Sequence, residues 1–212
     1  MLRNKEQITE EDNMRNRIMT ILLAAIMTIS LAGCGTSGKE EKVGSREVDG
    51  TYQMEVATEN ADSTILSYQF DKEAGTFSET VAVGDKSYEL ATGTYQLDEE
   101  ANLIHTVTEK GASQDFVIDG EYLIADGYFY EGEIPEGESF DATLKYTGEG
   151  GTTSVVVFNK DGTYTFTGSM KSVGTYKRTD SLIEMDSTDG STLVNFLIYQ
   201  GQISNSYLKK LP

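Results

Sequence analysis

The sequence has few of the residues that most enzyme and metal sites depend on. Its 212 positions include one cysteine, Cys34, one histidine, His105, two prolines and no tryptophan. A single cysteine excludes an internal disulfide. The patterns H-E-x-x-H, C-x-x-C and G-x-S-x-G do not occur, so the sequence offers no motif for a zinc peptidase, a dithiol site or a serine hydrolase. Carbohydrate-binding surfaces commonly expose tryptophan, so its absence gives little support for sugar binding.

Basic residues are also scarce. The chain has 17 Lys and Arg against 35 Asp and Glu, which gives a formal net charge of −18. Such an excess of carboxylates repels phosphate backbones, so we expect no nucleic-acid partner. Hydrophobic residues make up 38% of the chain, which is enough apolar material for one or two modest cores.

The stretch that begins at Met14 has the layout of a helical secretory signal peptide. Arg15 and Arg17 precede an apolar run over residues 18–29, and small residues follow just before Cys34. The run is shorter than the roughly 20 residues that a membrane-spanning helix needs. Acidic residues are frequent before Met14, which is unusual ahead of an export signal. We therefore expect the true start at Met14 and place the signal peptide in residues 1–33.

The end of this signal, "LAGC" at residues 31–34, resembles the lipobox of bacterial lipoproteins. The resemblance implies that the Cys34 thiol carries a diacylglyceryl group and that the chain is cut just before it. Acyl chains would then hold the protein on the extracytoplasmic face of the cell membrane. The alternatives are an ordinary signal peptide that contains a cysteine, or a buried structural thiol. After Cys34, the small and charged residues up to position 48 predict a flexible tether over 34–48.

The remainder of the chain contains similar segments in the same order. "FDKEAGTF" at 70–77 is similar to "FNKDGTYTF" at 158–166. Further matches pair Tyr52 with Phe140, "GTY" at 93–95 with 174–176, Leu103-Ile104 with Leu182-Ile183, "DFVI" at 115–118 with "NFLI" at 195–198, and Leu123 with Ile203. These matches predict a duplication, and chance similarity between β-rich segments is the alternative. An acidic stretch at 131–139 is typical of a linker, so we predict modules at 49–132 and 133–212.

Each module has the pattern of strands and turns. "TYTFTG" alternates, which places Tyr164 and Phe166 on one face and threonines on the other. Asp-Gly pairs at 119–120, 161–162 and 189–190 favour turns that need a positive φ. The sequence therefore predicts an all-β protein with two tandem antiparallel meanders of about six strands each, as small barrels or sandwiches.

A family resemblance supports this fold. The order "F-x-K-D-G-T-Y", then "G-T-Y", an apolar pair, "F-x-I" and a final strand resembles small lipocalin-like or duplicated β-sheet modules of bacterial lipoproteins. The resemblance covers residues 49–212. It implies an up-and-down antiparallel fold on a lipid anchor, without catalysis, and it carries over no functional residue apart from Cys34.

The remaining candidates for chemistry are weak. His105 in "NLIHTVT" is expected on a strand face opposite Ile104, as a surface histidine without a nucleophile. The acidic stretch at 131–139 lacks the Asp-rich spacing of a calcium loop. "GCGTSGK" at 33–39 continues with Glu40 where a phosphate loop needs Ser or Thr. We expect no catalytic residue, no cofactor and no metal.

The expected function is therefore binding. The sequence favours a non-catalytic, membrane-anchored lipoprotein whose β-modules bind an envelope protein or a small ligand. One alternative is an envelope hydrolase with a carboxylate-based site, because such carboxylate pairs are defined by distance in space and not by a motif. The other alternative is a purely structural domain.

Overall fold

A computed structural model describes residues 48–56, 64–148, 151–168, 170–188 and 195–212. These ranges contain strands and turns and no helix, so the prediction of an all-β protein is confirmed. Within them, no helix has the length and apolar character needed to cross a membrane. The signal peptide, Cys34 and the tether up to residue 47 lie outside the described ranges and stay predictions.

The strands form two antiparallel sheets, as predicted. The first sheet is a closed barrel of eight strands: β1 (Gly50–Val56), β2 (Thr64–Asp71), β3 (Thr76–Val83), β4 (Lys86–Asp98), β5 (Leu103–Thr108), β6 (Ser113–Asp119), β7 (Tyr122–Ala125) and β15 (Tyr207–Lys210). The second sheet has seven strands: β8 (Ala142–Thr147), β9 (Thr153–Phe158), β10 (Thr163–Thr167), β11 (Lys171–Arg178), β12 (Leu182–Ser187), β13 (Phe196–Tyr199) and β14 (Gln202–Ser204).

The prediction of about six strands in each module is too low. Eight strands form the barrel and seven form the second sheet. Strands β14 and β15 have three and four residues, which is too short to show a clear period. Strand β7 is buried at all four positions, so it has no alternation of apolar and polar residues to detect.

The last strand of the sequence belongs to the barrel. Strand β15 pairs with β7, where Leu208 lies opposite Leu123, and with β1, where Lys210 lies opposite Tyr52. The side chain of Leu208 is buried in the barrel core. The sequence-based boundaries assign this strand to the second module, whereas its backbone hydrogen bonds lie in the first sheet.

In the same way, the second sheet is hydrogen-bonded to a segment from the other part of the chain, the segment that follows β7. The backbone N–H of Tyr130 donates to the carbonyl of Ile203 in β14, with an N–O distance of 2.9 Å. Glu131 and Lys145 of β8 exchange two backbone hydrogen bonds of 2.7 and 3.0 Å. Residues 130 and 131 thus bridge the two edge strands of the second sheet. We call these two residues and strand β15 the closing segments.

Buried side chains form three clusters. One fills the barrel and includes Phe70, Phe77 and Leu208. The second lies under the second sheet and includes Phe158, Phe196 and Tyr130. The third joins the two sheets, with Tyr122, Ile124 and Leu197 buried and Val117, Phe129, Leu182, Tyr199 and Tyr207 packed against them. The two sheets therefore share an apolar interface.

The two sheets have the same tyrosine contact. The Tyr95 hydroxyl donates to the carbonyl of Val48 at 2.8 Å, and the Tyr176 hydroxyl donates to the carbonyl of Phe140 at 2.9 Å. Both tyrosines close the "GTY" segments that the sequence comparison matched. Each contact fixes the residues that precede the first strand of its sheet.

An aspartate next to each of these carbonyls gives a second matched contact. The Asp49 carboxylate accepts a hydrogen bond from the backbone N–H of Lys72 at 3.3 Å, and Asp141 accepts one from Lys160 at 2.8 Å. The aspartates hold the turns that contain Gly75 and Gly162, which have positive φ values of 65° and 82°. Only glycine adopts such a conformation without strain, as predicted for the turn at 161–162.

One match from the sequence is wrong. Tyr52 lies opposite Tyr68 in the barrel, and Leu144 lies opposite Val156 in the second sheet. The counterpart of Tyr52 is therefore Leu144 and not Phe140, a shift of four residues. Aromatic character misled the comparison, because the tyrosine and its aliphatic counterpart fill the same inward position.

Candidate ligand site in the barrel

A cavity of about 480 Å³ lies at one end of the barrel. Its walls come from β2 to β6 and from the turn between β5 and β6. They include Tyr68, Phe77, Glu79, Glu89, Leu90, Ala91, Thr92, Thr106, Thr108, Glu109, Lys110, Ala112, Ser113 and Gln114. This volume is within the range of about 300–1,000 Å³ that is typical of small-molecule sites.

An irregularity in the sheet helps to form the cavity. Glu79 lies opposite Ala91 but its neighbour Thr80 lies opposite Glu89, so Leu90 is an extra residue in β4. Such a bulge bends a strand and increases its twist. The ladder between β4 and β5 begins at Gly93, and the part of β4 before it extends past the end of β5 and borders the cavity.

A buried carboxyl group lies in the cavity wall. Along β3, the inward-facing positions are Phe77, Glu79 and Val81, so an acid occupies a place between two core residues. The side chain of Glu79 has a hydrogen bond with Tyr68, its cross-strand neighbour on β2. Burial raises the pKa of the Glu79 carboxyl above its ordinary value, and the hydrogen bond with Tyr68 offsets part of this increase.

Aromatic packing fixes the position of Tyr68. Its ring stacks on Phe77 with 5.8 Å between centroids and meets Phe116 edge-on at 5.3 Å. Burial and the nearby charge of Glu79 raise the pKa of Tyr68 well above its usual range, so the hydroxyl keeps its proton at neutral pH. A protonated phenol can donate to the Glu79 carboxylate.

Charged side chains line the cavity near the turn between β5 and β6. Glu89 on β4 and Glu109 in the turn contribute carboxylates, and Lys110 contributes an ammonium group. Together with Glu79, the lining carries three acids against one base. The lining is therefore negative when all four groups are ionised.

A smaller cavity of about 40 Å³ continues beyond Tyr68. Its walls include Met54, Leu66, Phe116, Ala125 and Tyr128, together with Leu208 of the closing segment β15. Tyr68 and Gln114 line both cavities. The last strand of the sequence thus contributes to the interior that surrounds the site.

The residues that the sequence analysis considered as candidates for chemistry are not among the residues that line the large cavity. His105 is on β5 beside the buried Ile104, as predicted for a strand-face histidine, and its Nδ1 is 2.8 Å from a carboxylate oxygen of Asp115. The two side chains are 43% and 40% exposed. Neither lines the large cavity. The acidic stretch at 131–139 is mostly exposed, and Cys34 lies outside the described residues.

Sequence analysis did not identify Glu79, although a signal was present. In "TFSETVAV" the acid occupies the same alternating face as Phe77 and Val81. A carboxyl group on the apolar face of a strand is unusual, because burial disfavours its charge. Thr106, whose hydroxyl donates to the carbonyl of Gln114 at 2.7 Å, was likewise not identified.

Across the described ranges, no group of three or more His, Cys, Asp and Glu side chains is placed to hold a metal ion. The chain matches no protein-family model, and the searches of curated proteins and of solved structures returned no match.

Proposed function

We propose that this chain is a non-catalytic, lipid-anchored protein of the cell envelope whose barrel binds a small ligand. The observation that carries the binding role is the cavity of about 480 Å³ at one end of a closed eight-stranded barrel. An eight-stranded barrel is wide enough either to be filled by its own side chains or to hold one small ligand, and here the core side chains leave a cavity at one end. The anchor depends on the lipobox resemblance at Cys34 and remains a proposal with it.

The lining suits a ligand with an apolar body and at least one polar group. Apolar and aromatic walls such as Phe77 and Leu90 supply contact area, while Glu79 and Tyr68 supply a fixed polar point. Small-molecule sites commonly have this composition. The carboxyl–phenol pair is buried and can orient the ligand without contact with bulk water.

The direction of the strands supports an opening away from the membrane. The chain enters the barrel at Gly50, at the start of β1. Because neighbouring strands are antiparallel, the turn between β5 and β6 lies at the opposite end of the barrel. That turn borders the cavity. A tether from Cys34 would therefore approach the end that lies away from the cavity.

The second sheet is assigned a supporting role. Its largest inward side chains, Phe158, Tyr164 and Phe196, are almost fully buried. The Tyr164 hydroxyl is satisfied internally, 2.8 Å from the Ser172 hydroxyl. This sheet also supports the barrel through the shared apolar interface.

The binding role can be tested with the uncharged dye N-phenylnaphthylamine, whose fluorescence increases in apolar sites. We expect saturable binding to the wild-type protein and a strong loss in Ala91→Trp, because Ala91 lies opposite Glu79 and lines the cavity. The matched control is Ala82→Trp on the outer face of β3, next to the buried Val81. Equal loss in both variants, or no saturable binding to the wild type, would contradict the proposal.

A further inference from the structure

We propose that the barrel cavity selects a small organic cation: an ammonium group on an apolar or aromatic body, with the ammonium group bound by Glu79. This inference depends on the proposed binding function and adds the chemical class of the ligand. It is carried by the position of one carboxyl group inside a cavity of suitable size.

The Glu79 carboxylate has capacity for a further donor. A carboxylate has two oxygens that together accept about four hydrogen bonds, and the Tyr68 hydroxyl supplies one donor. The ion pairs His105–Asp115 and Lys209–Glu121 do not include Glu79, and the causes that shift the pKa of Glu79 are burial and the hydrogen bond with Tyr68. A buried carboxylate without a counter-charge is costly. A ligand ammonium group would supply both the charge and the donors.

The aromatic rings beside Glu79 favour the same ligand class. Tyr68 and Phe77 both line the cavity and stack on each other. Aromatic faces attract cations through their quadrupole, most strongly where water is excluded. An aromatic ligand body would also pack against these rings. The charge of the ligand and its aromatic shape would therefore both favour binding.

The charges near the turn favour entry of a cation. Glu89 and Glu109 oppose the single ammonium group of Lys110, and the whole chain has a formal charge of −18. A negative cleft attracts cations and repels anions, and this raises the association rate of the favoured ligand. A fatty acid or another carboxylate would meet repulsion from both the lining and the whole chain.

A bare metal ion is a poorer occupant of the same place. Calcium takes six to eight oxygen ligands, several of them usually carboxylates. Among the residues that the structure describes, no three His, Cys, Asp or Glu side chains are placed so that they could hold a metal ion. One buried carboxylate with a phenol and aromatic walls matches an organic ammonium group better than a metal.

The test uses three compounds that share a phenyl ring and differ in the head group: phenethylamine, phenethyl alcohol and phenylacetate. Each is titrated against the wild-type protein loaded with N-phenylnaphthylamine at neutral pH. We expect phenethylamine to displace the dye at a concentration at least tenfold lower than the alcohol or the acid. One charge-assisted hydrogen bond in a buried site gives an effect of about this size.

Two variants assign the selection to Glu79. Glu79→Gln removes the charge but keeps the shape and an acceptor for Tyr68, so the dye should still bind while phenethylamine loses at least tenfold in apparent affinity. Tyr68→Phe keeps the carboxylate, so the advantage of the amine should persist. Glu55→Gln, a change at an exposed glutamate of β1 that does not line the cavity, should alter the affinity for the amine by less than threefold.

The outcomes separate the two proposals. Saturable dye binding without an advantage for the amine overturns the inference and leaves the binding function in place. An advantage that survives Glu79→Gln overturns it as well, because another group must then bind the ammonium. If neither the dye nor phenethylamine binds the wild-type protein, the proposed function and the inference both fail.

Discussion

The closing segment β15 provides the sharpest test of the architecture, through the substitution Leu208→Ala. Leu208 is 1% exposed, faces Leu123 across the β7–β15 ladder and belongs to the barrel core. Truncation of a fully buried leucine costs about 2–5 kcal/mol, because both transfer free energy and packing are lost. This is a large part of the ~5–15 kcal/mol by which a typical domain is stable.

We expect Leu208→Ala to destabilise the barrel locally, although the substitution lies near the end of the sequence. Hydrogen exchange followed by mass spectrometry measures opening separately for peptides from β1, β7 and the second sheet. If opening of the barrel limits exchange, a loss of 2–5 kcal/mol speeds exchange in β1 and β7 by about thirtyfold to a few thousandfold. Peptides from β9 and β10 should change much less.

Two controls sharpen this prediction. Leu211→Ala truncates a leucine that is 42% exposed, three positions along the chain, and should cost less than about 0.5 kcal/mol. Tyr130→Ala removes a 2% exposed side chain from the other closing segment and should speed exchange in β8 and β14 instead. The assignment of β15 to the barrel would be refuted if Leu208→Ala accelerated exchange mainly in the second sheet.

Three further predictions follow from the same structure. Cys34→Ala should abolish lipid labelling and release the protein from the membrane fraction, and unchanged membrane retention would contradict the anchor. Burial raises the folded-state pKa of Glu79 above its ordinary value of 4.5, so the wild type loses stability as the pH rises through that folded pKa. The variant Glu79→Gln has no carboxyl group to ionise and lacks this loss, so the Tm of the variant minus the Tm of the wild type should increase from pH 4 to pH 7. A decrease in this difference would refute the raised pKa of Glu79. Fragment 49–132 lacks β15, and fragment 133–212 lacks residues 130 and 131, so each fragment lacks the closing segment of its own sheet. Each should therefore melt at a lower temperature alone than when the two are mixed. Equal melting temperatures would contradict the role of the closing segments.

Local sequence patterns predicted the parts of the fold that depend on local physics. The alternation in "TYTFTG" placed Tyr164 and Phe166 inside, and both are buried. The Asp-Gly pair at 161–162 predicted a turn with a positive φ, and Gly162 has a φ of 82°. These features depend on neighbouring residues and on backbone sterics, which a short window of sequence contains.

The pairing of distant strands was not visible in the same way. Strand β15 lies opposite residues of β1 that are more than 150 positions earlier, as in the pair Tyr52 and Lys210. Neither its four residues nor the two of the other closing segment carry a pattern that identifies a partner. Pairing between such distant strands depends on which sheet still lacks a strand to cover its core, and that is a property of the whole fold.

The candidate site was missed because composition concealed it. Because the chain has 35 acidic residues, composition alone assigns any one glutamate in a strand to a solvated surface. Only its alternation with Phe77 and Val81 marks Glu79 as inward-facing. The bulge at Leu90, which helps to open the cavity beside it, depends on how β3 and β4 align in three dimensions.

The two closing segments connect all three apolar clusters, so we expect the stability of each sheet to depend on the other. In each case, the residue that fills a core has a chain neighbour in the interface. Tyr130 enters the second core while Phe129 packs in the interface against Tyr199 at 6.0 Å. Leu208 enters the barrel core while Tyr207 meets Tyr122 at 5.7 Å.

Adjacent residues of a strand point to opposite faces, so β15 joins the barrel core to the shared interface, and Tyr130 with its neighbour Phe129 joins the second core to it. Withdrawal of either segment would expose apolar surface in two clusters at once. The position of β15 in the barrel thus stabilises the barrel wall beside Tyr68, where Leu208 lines the smaller cavity. Because that wall adjoins Glu79, the affinity of the barrel for its ligand should depend on β15, a strand that follows the second sheet in the sequence.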